Sequence, residues 1–190
     1  IETHVGRMDQ IQNLIAQVMA QFGRIDILMN NAGTSVAAPA LDFPEKGWDA
    51  VMNTNLKGLF YLSQGVAKIM KEQGGGSIIN VASISGINPE VPVLAYSVSK
   101  AGVIMVTKSM AVEWGQYNIR VNAIAPGLTK TRFSEVLWNN PDIVQLALGR
   151  NPIPRVAEPE EMVGAIIYLA SSASSYVTGQ TLALDGGSTI

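Results

Sequence analysis

The chain has 190 residues, of which 47% are hydrophobic, and a formal net charge of −2, as expected of an ordinary globular protein. It contains no cysteine and a single histidine, His4, which excludes disulfides and thiolate chemistry and argues against a metal site. Without a basic stripe, a signal peptide or an apolar run of the ~20 residues that span a membrane, it is expected to be cytoplasmic and to bind neither nucleic acid nor membrane.

Helix and strand patterns alternate from the N-terminus onward. Apolar residues recur at helical spacing from Met8 to Phe22, with Asp9 in the first turn and Gly23 after the last, which is typical of an amphipathic helix. Further helices are predicted over Trp48–Lys71, over Tyr96–Gly115 and from Pro159 onward, and strands over Ile25–Met29, Ser77–Ala82, Arg120–Ala125 and Thr181–Asp185. A less regular segment, Leu128 to Ala157, precedes the last helix.

Nearly continuous apolar strands that alternate with helices indicate an α/β fold, with a doubly wound, Rossmann-like parallel sheet covered on both faces. Such sheets bind ligands at the carboxyl ends of their strands. Small, amide and hydroxyl residues follow every predicted strand, as in Asn30-Asn31-Ala32-Gly33 and at Ser83. Each could be a simple turn residue, but their shared position at one sheet edge favours a binding cleft.

Tyr96 and Lys100 are one helical turn apart, which places their Cβ atoms roughly 5–6 Å from each other on one helix face. A nearby ammonium lowers the pKa of a tyrosine, whose ordinary value is about 10. A tyrosine tuned in this way can exchange a proton with a carbonyl or alcohol oxygen, and Ser83 could hold the same oxygen. Taken alone, the pair also fits a packed tyrosine beside a solvated lysine.

Several motifs together resemble those of the short-chain dehydrogenase/reductase family. They are Asn30-Asn31-Ala32-Gly33, the segment from Trp48 to Gly58, Asn80-Val81-Ala82-Ser83-Ile84-Ser85-Gly86, Tyr96-Ser97-Val98-Ser99-Lys100, the segment from Arg120 to Gly127, and Asp185-Gly186-Gly187. The resemblance extends from about His4 to Gly187. It implies an oxidoreductase that uses NAD or NADP to interconvert a carbonyl and a secondary alcohol by hydride transfer.

The resemblance also implies roles for individual residues. Tyr96 would be the general acid/base, Ser83 would position the substrate oxygen, and Lys100 would bind the nicotinamide ribose and lower the pKa of Tyr96. Asn55 would hold a water in a proton relay, or else brace its helix. The remaining implied cofactor contacts are Val5, Asn31, Ala32, Gly33, Pro126, Gly127, Thr129 and Thr131, with no metal; Thr129 stands where the family often has Val or Ile, and His4 where it usually has Asp.

The family's glycine-rich phosphate loop has no counterpart in these residues. We therefore expect residues 1–190 to form a single, partial dinucleotide-binding and catalytic domain that lacks N-terminal strands, with the strand ending at Met29 as an exposed hydrophobic edge. The choice between NAD and NADP is left open, because in the family it is made at the end of a strand that is missing here.

The segment from Leu128 to Ala157 is expected to cover a small-molecule carbonyl or alcohol substrate with its apolar side chains. Arg150 and Arg155 could meet an acidic substrate or lie in solvent. The family also implies a homodimer or homotetramer formed through the helices Trp48–Lys71 and Tyr96–Gly115. Thioester ketones, sugars and small secondary alcohols all remain open as substrates.

Two other functions remain open at this point. The chain could be a truncated, non-catalytic product that keeps the oligomerisation helices and cannot hold cofactor. It could also be a sugar epimerase or dehydratase, which shares the Tyr/Lys pair but normally has a longer C-terminal substrate region.

Overall fold

A computed structural model describes residues 1–149 and 151–190. The strands are β1 (Ile27–Asn30), β2 (Gly76–Val81), β3 (Ile119–Pro126) and β4 (Thr181–Leu184). The α-helices are α1 (Met8–Phe22), α2 (Glu45–Met52), α3 (Leu59–Glu72), α4 (Leu94–Trp114), α5 (Glu135–Trp138), α6 (Pro141–Leu148) and α7 (Glu160–Ala170). Among the described residues, no helix is both long and apolar enough to cross a bilayer.

The strands form one parallel sheet in the order β1-β2-β3-β4. Asn30 pairs with Asn80 across β1 and β2, and Val81 pairs with Ile124 across β2 and β3. Since all the strands run in one direction, their carboxyl ends lie along the same edge. This confirms the predicted parallel α/β fold.

Two hydrophobic cores lie on opposite faces of the sheet. Ile78 of β2 is fully buried in a core to which α1, α3 and α4 contribute. Its neighbour Ile79 points the other way and packs with Ile124 and Leu169 of α7. Burying side chains of this size stabilises the fold by about 1.5–3 kcal/mol each, which explains why the central strands are apolar on both faces.

The single helix predicted over Trp48–Lys71 is wrong in its start and in its continuity. It begins earlier, at Glu45, and a wide π-type turn over Asn53–Gly58 separates α2 from α3. At Gly58 the carbonyl of Val5 approaches so closely that a Cβ atom would collide with it. The sequence could not reveal this turn, because the spacing of apolar residues continues through it.

The segment from Leu128 to Ala157 is more regular than predicted, since it contains α5 and α6. Asn140 caps α6 by accepting hydrogen bonds from the backbone amides of Asp142 and Ile143, and Pro141 occupies the first turn. An asparagine followed by a proline is an established helix-start signal. It could have been recognised in the sequence.

β1 forms one edge of the sheet, as expected. It pairs only with β2, and Ile27 and Met29 are 51% and 39% exposed. Leu28 points to the opposite face and packs against the core formed with α1, α3 and α4.

Candidate active site

The turn after β2 is packed directly against α4. Ser83 begins a short 3₁₀ turn, Ile84–Gly86, and a Cβ atom added to Gly86 would lie 2.6 Å from the carbonyl carbon of Lys100. Only a glycine permits this approach of two backbones. The contact brings Ser83 against Tyr96, which lies in the first turn of α4.

Tyr96 lies in a largely buried environment at the carboxyl edge of the sheet. Burial raises the pKa of its phenol, and a hydrogen bond with Ser83 opposes part of that shift. The sequence predicted a pKa lowered by Lys100, so the direction is reversed in the protein by itself. The reason is that burial disfavours the phenolate more than the hydrogen bond with Ser83 favours it.

Lys100 is only 4% exposed. Its ammonium donates a 2.7 Å hydrogen bond to the carbonyl oxygen of Val81 and lies 5.5 Å from the centroid of the Tyr96 ring. Burial lowers the pKa of Lys100 to about 8. This lysine therefore holds its proton much less tightly than an exposed lysine would.

Asn55 joins the loop after β1 to α4. Its Oδ1 accepts a 2.8 Å hydrogen bond from the Thr34 amide, while its Nδ2 donates to the Thr34 carbonyl at 2.9 Å and to the Ser99 hydroxyl at 3.0 Å. These contacts engage the side chain in connecting the loop after β1 to α4.

Residues Asn31, Ala32 and Gly33 lie exposed at the end of β1. A Cβ atom added to Gly33 would lie 3.7 Å from the Lys100 nitrogen and 3.6 Å from Asn55 Oδ1. The predicted cofactor residues of this loop are therefore adjacent to the predicted catalytic residues.

Four of the other predicted cofactor residues lie at the end of β3 and just after it. Pro126 ends β3, and the hydroxyl of Thr129 donates to the Gly127 carbonyl at 3.1 Å. Thr131 shares a 2.9 Å hydrogen bond with Ser134. Both hydroxyls are therefore engaged within the turn.

Near the N-terminus, Val5 is half-buried beside the π-type turn. His4 is exposed, and its Nδ1 accepts a 3.1 Å hydrogen bond from the amide of Gly6. The imidazole of His4 therefore stabilises a local turn.

The segment after β3 reaches over Tyr96. The Phe133 ring lies 5.9 Å from the Tyr96 ring, centroid to centroid, although Phe133 itself is 58% exposed. Beneath this segment, a cavity of about 370 Å³ opens at the ends of β3 and β4, with Leu148 and Ile153 in its lining. None of the four predicted catalytic residues lines that cavity.

Of the two arginines predicted as possible contacts for an acidic substrate, Arg155 is paired with a carboxylate of the chain itself. Arg155 makes a bidentate pair with Glu161, with two N···O distances of 2.7 Å. This pair lies on the surface and holds the pKa of the Glu161 carboxyl down to about 2. Arg150 lies outside the described residues.

One side chain of the site, Glu90, was not predicted from the sequence, and neither were the hydrogen bonds that link it through Ser85 to Ser83. Ser83 donates to Ser85 at 3.1 Å, and Ser85 donates to the Glu90 carboxylate at 2.8 Å. Phe133 was assigned only to the apolar cover. The sequence does signal the two serines, which are spaced two residues apart directly after a strand, but nothing in it indicates that Glu90 folds back to them.

Known proteins share both the sequence and the geometry of this chain. A family model described as enoyl-(acyl carrier protein) reductase matches residues 1–189. The 2-dehydro-3-deoxy-D-gluconate 5-dehydrogenase of Escherichia coli is 46% identical over 95% of this chain and 72% of its own length. A short-chain dehydrogenase/reductase structure from Mycobacterium marinum is 40% identical, with a TM-score of 0.94 over 100% of this chain and 74% of that one.

The chain belongs to the short-chain dehydrogenase/reductase family. Family membership makes it an NAD(P)-dependent oxidoreductase, as the motifs implied. One similar structure, a gluconate 5-dehydrogenase from Burkholderia cenocepacia in complex with NADP and tartrate, is 38% identical, with a TM-score of 0.95 over 98% of this chain and 73% of that one. In this short-chain dehydrogenase, residues Asn31 to Gly33 are exposed at the end of β1.

Proposed function

We propose that this short-chain dehydrogenase interconverts a carbonyl and a secondary alcohol, with Tyr96 as the general acid/base. In reduction, a bound reduced nicotinamide would supply the hydride, and the Tyr96 hydroxyl gives its proton to the carbonyl oxygen. In oxidation, the phenolate takes the proton of the alcohol. The proposal rests on one observation: the turn after β2 is packed against the first turns of α4 at Gly86, which places the Ser83 hydroxyl beside the phenol of Tyr96.

Ser83 and Lys100 support Tyr96 in different ways. Ser83 positions the reacting oxygen: its single proton, which Ser85 accepts in the free chain, turns to that oxygen when the substrate binds. Lys100 is held by Val81 beside the tyrosine ring and faces the loop at Gly33. This position suits an ammonium that binds the ribose hydroxyls of the cofactor and returns a proton to Tyr96.

Asn55 acts mainly by positioning. Its three hydrogen bonds fix the loop after β1 relative to α4, and so set the distance between the Gly33 loop and Lys100. We also propose that Val5, Asn31, Ala32, Gly33, Pro126, Gly127, Thr129 and Thr131 contact the cofactor, mostly through backbone groups.

The substrate carries a ketone or a secondary alcohol. Similar proteins are named for different substrates of this kind, among them a 3-oxoacyl-[acyl-carrier-protein] reductase of Thermotoga maritima, 46% identical over 94% of this chain and 72% of its own length. A sugar acid is the class most often named among the first relatives. We propose a hydroxylated small molecule as the first class to test.

A cofactor titration followed by a carbonyl panel tests the function. The 190-residue chain is titrated with NADH and NADPH by fluorescence and is then assayed with sugar-acid ketones, 3-oxoacyl thioesters and simple ketones. We expect saturable binding and turnover of at least one ketone. A chain that binds neither cofactor would support the alternative, in which these residues form a non-catalytic product that keeps only the oligomerisation helices.

A further inference from the structure

Glu90 lies in the loop between the turn after β2 and the start of α4, and two hydrogen bonds fix it there. Its backbone amide donates to the Ser97 hydroxyl at 3.3 Å, and its Oε2 accepts from the Ser85 hydroxyl at 2.8 Å. Ser85 and Ser97 are both buried, whereas Glu90 is exposed. The carboxylate is therefore anchored to the protein at one oxygen on an otherwise exposed side chain.

The carboxylate is directly connected to the proposed catalytic serine. Ser85 has one hydroxyl proton, and the 2.8 Å bond to Glu90 takes it. Ser85 can then only accept from Ser83, which it does at 3.1 Å. Glu90 thus lies two hydrogen bonds away from the oxygen of Ser83.

The negative charge of Glu90 is also felt at Tyr96. The charge contributes to raising the pKa of the Tyr96 phenol, although less than burial does. Among the described residues, no ion pair includes the Glu90 carboxylate, and no donor makes a hydrogen bond to its Oε1 atom. A free carboxylate oxygen beside a reacting group is a strong acceptor for a donor group.

We propose that Glu90 determines specificity in this site: it selects substrates with a hydrogen-bond donor, hydroxyl or ammonium, next to the reacting carbon and disfavours a carboxylate there. This inference rests on the proposed function, because it takes Ser83 as the group that holds the reacting oxygen. On this proposal Glu90 Oε1 accepts from a donor on the neighbouring carbon, whereas a carboxylate at that place meets a like charge.

Four ketones that differ only in the group beside the carbonyl test the proposal. They are hydroxyacetone, aminoacetone, 2-butanone and pyruvate, assayed for kcat and KM with the wild type and with Glu90→Gln and Glu90→Ala. Glu113→Gln is the matched control, since it removes the same charge from an exposed position near the far end of α4. Circular dichroism checks that each variant is folded.

We expect the wild type to favour hydroxyacetone or aminoacetone over 2-butanone by about tenfold or more in kcat/KM, as a hydrogen bond to a charged group provides. Glu90→Ala should bring that ratio close to one, mainly through KM. Glu90→Gln should abolish the preference for aminoacetone and keep part of that for hydroxyacetone, which separates the two donors. Pyruvate turnover should rise severalfold in both variants, whereas a merely structural defect would lower it.

The outcomes separate this inference from the function on which it rests. If the wild type turns over none of the four ketones but reduces another ketone of the panel described above, the inference is overturned and the proposed function stands; if it reduces no ketone of either set, both are contradicted. Turnover with the same ratios in the wild type and both Glu90 variants overturns the inference alone. A change of equal size in Glu113→Gln would also overturn it, since the effect would then come from net charge.

Discussion

Tyr96 and Lys100 stand one turn apart on α4, and the chemistry proposed for this chain depends on how the protein treats their protons. Burial raises the pKa of the phenol and lowers the pKa of the ammonium to about 8. The two groups are therefore further apart in proton affinity than free tyrosine and lysine are, and their order is reversed. Transfer of a proton from the Lys100 ammonium to the Tyr96 phenolate is then favourable.

The sequence predicted these residues from their spacing and from the neighbouring motifs. It could not predict the direction of the pKa shift of Tyr96, because that depends on how deeply the ring is buried. It also missed Glu90, since its partner Ser85 is held in place only by the turn at Gly86. Tyr96 and Lys100 could be predicted because their spacing is local, whereas Glu90 could not, because its contact with Ser85 depends on how a loop folds.

Replacing Tyr96 with phenylalanine should remove the proton donor and keep the ring. We expect Tyr96→Phe to lower kcat by about 10²–10⁴-fold, the range typical of a lost general acid or base, with cofactor binding largely unchanged. Tyr176→Phe is the control, because Tyr176 is fully exposed on the surface. Wild-type turnover in Tyr96→Phe would contradict the mechanism.

Lys100 should make the stability of the protein depend on pH in a defined window. Its pKa is about 8 in the folded chain and about 10.4 in an unfolded chain, so the unfolded state binds more protons between these values. The free energy of unfolding therefore rises with pH across this window. Below pH 8 both states are protonated, and no change is expected there.

The comparison with Lys100→Met isolates this effect. The unfolding free energy of the wild type, minus that of the variant, should increase by about 3 kcal/mol between pH 8 and 10.5. Urea denaturation at several pH values measures the difference. A flat difference would mean that Lys100 is not desolvated in the folded chain.

At the scale of elements, the site depends on the contact between the turn after β2 and the first turns of α4. A Cβ atom at Gly86 would lie 2.6 to 2.8 Å from three backbone atoms of Lys100 and Ala101. Element boundaries were predicted to within a few residues, but this contact was not predicted. Spacing along the chain reveals elements, whereas close approach between them appears only in three dimensions.

The substitution Gly86→Ala should push the turn away from α4. We expect a loss of about 1–3 kcal/mol in unfolding free energy, as for overpacking elsewhere, together with reduced turnover because Ser83 moves. Gly164→Ala is the matched control: a Cβ atom there meets nothing within 4 Å, and alanine in the middle of α7 should stabilise the chain by about 0.5–1 kcal/mol. Denaturant midpoints and kcat are measured for both variants. A midpoint of Gly86→Ala equal to that of Gly164→Ala would contradict the packing between the turn and α4.

For the whole molecule, the apolar surface of α3 and α4 favours association of two copies. Met105 is 62% exposed and Val112 is 86% exposed on α4, while Tyr61 on α3 is 40% exposed. A groove runs between these helices, lined by residues that include Leu56 and Phe60. A homodimer or homotetramer built through this face remains a proposal, based on the family resemblance and on this exposed surface.

A charge placed in that face should separate the copies. We expect Met105→Glu to shift the protein from an oligomer to a monomer in sedimentation velocity, because a buried, unpaired carboxylate is unfavourable in an interface. Leu41→Glu serves as the control, since Leu41 is 98% exposed in the turn before α2. An oligomer that survives Met105→Glu would place the interface elsewhere.

The backbone contact at Gly86 separates the making of bonds from the choice of substrate. The contact fixes Ser83 relative to Tyr96, whereas the segment after β3 approaches Tyr96 through the exposed ring of Phe133, so the rest of that segment can change its sequence without displacing the reacting groups. Related chains that share a large part of their sequence can therefore diverge in what they accept while keeping one reaction. During evolution, the glycine at this contact would keep the reaction centre in place while the segment that contacts the substrate changes.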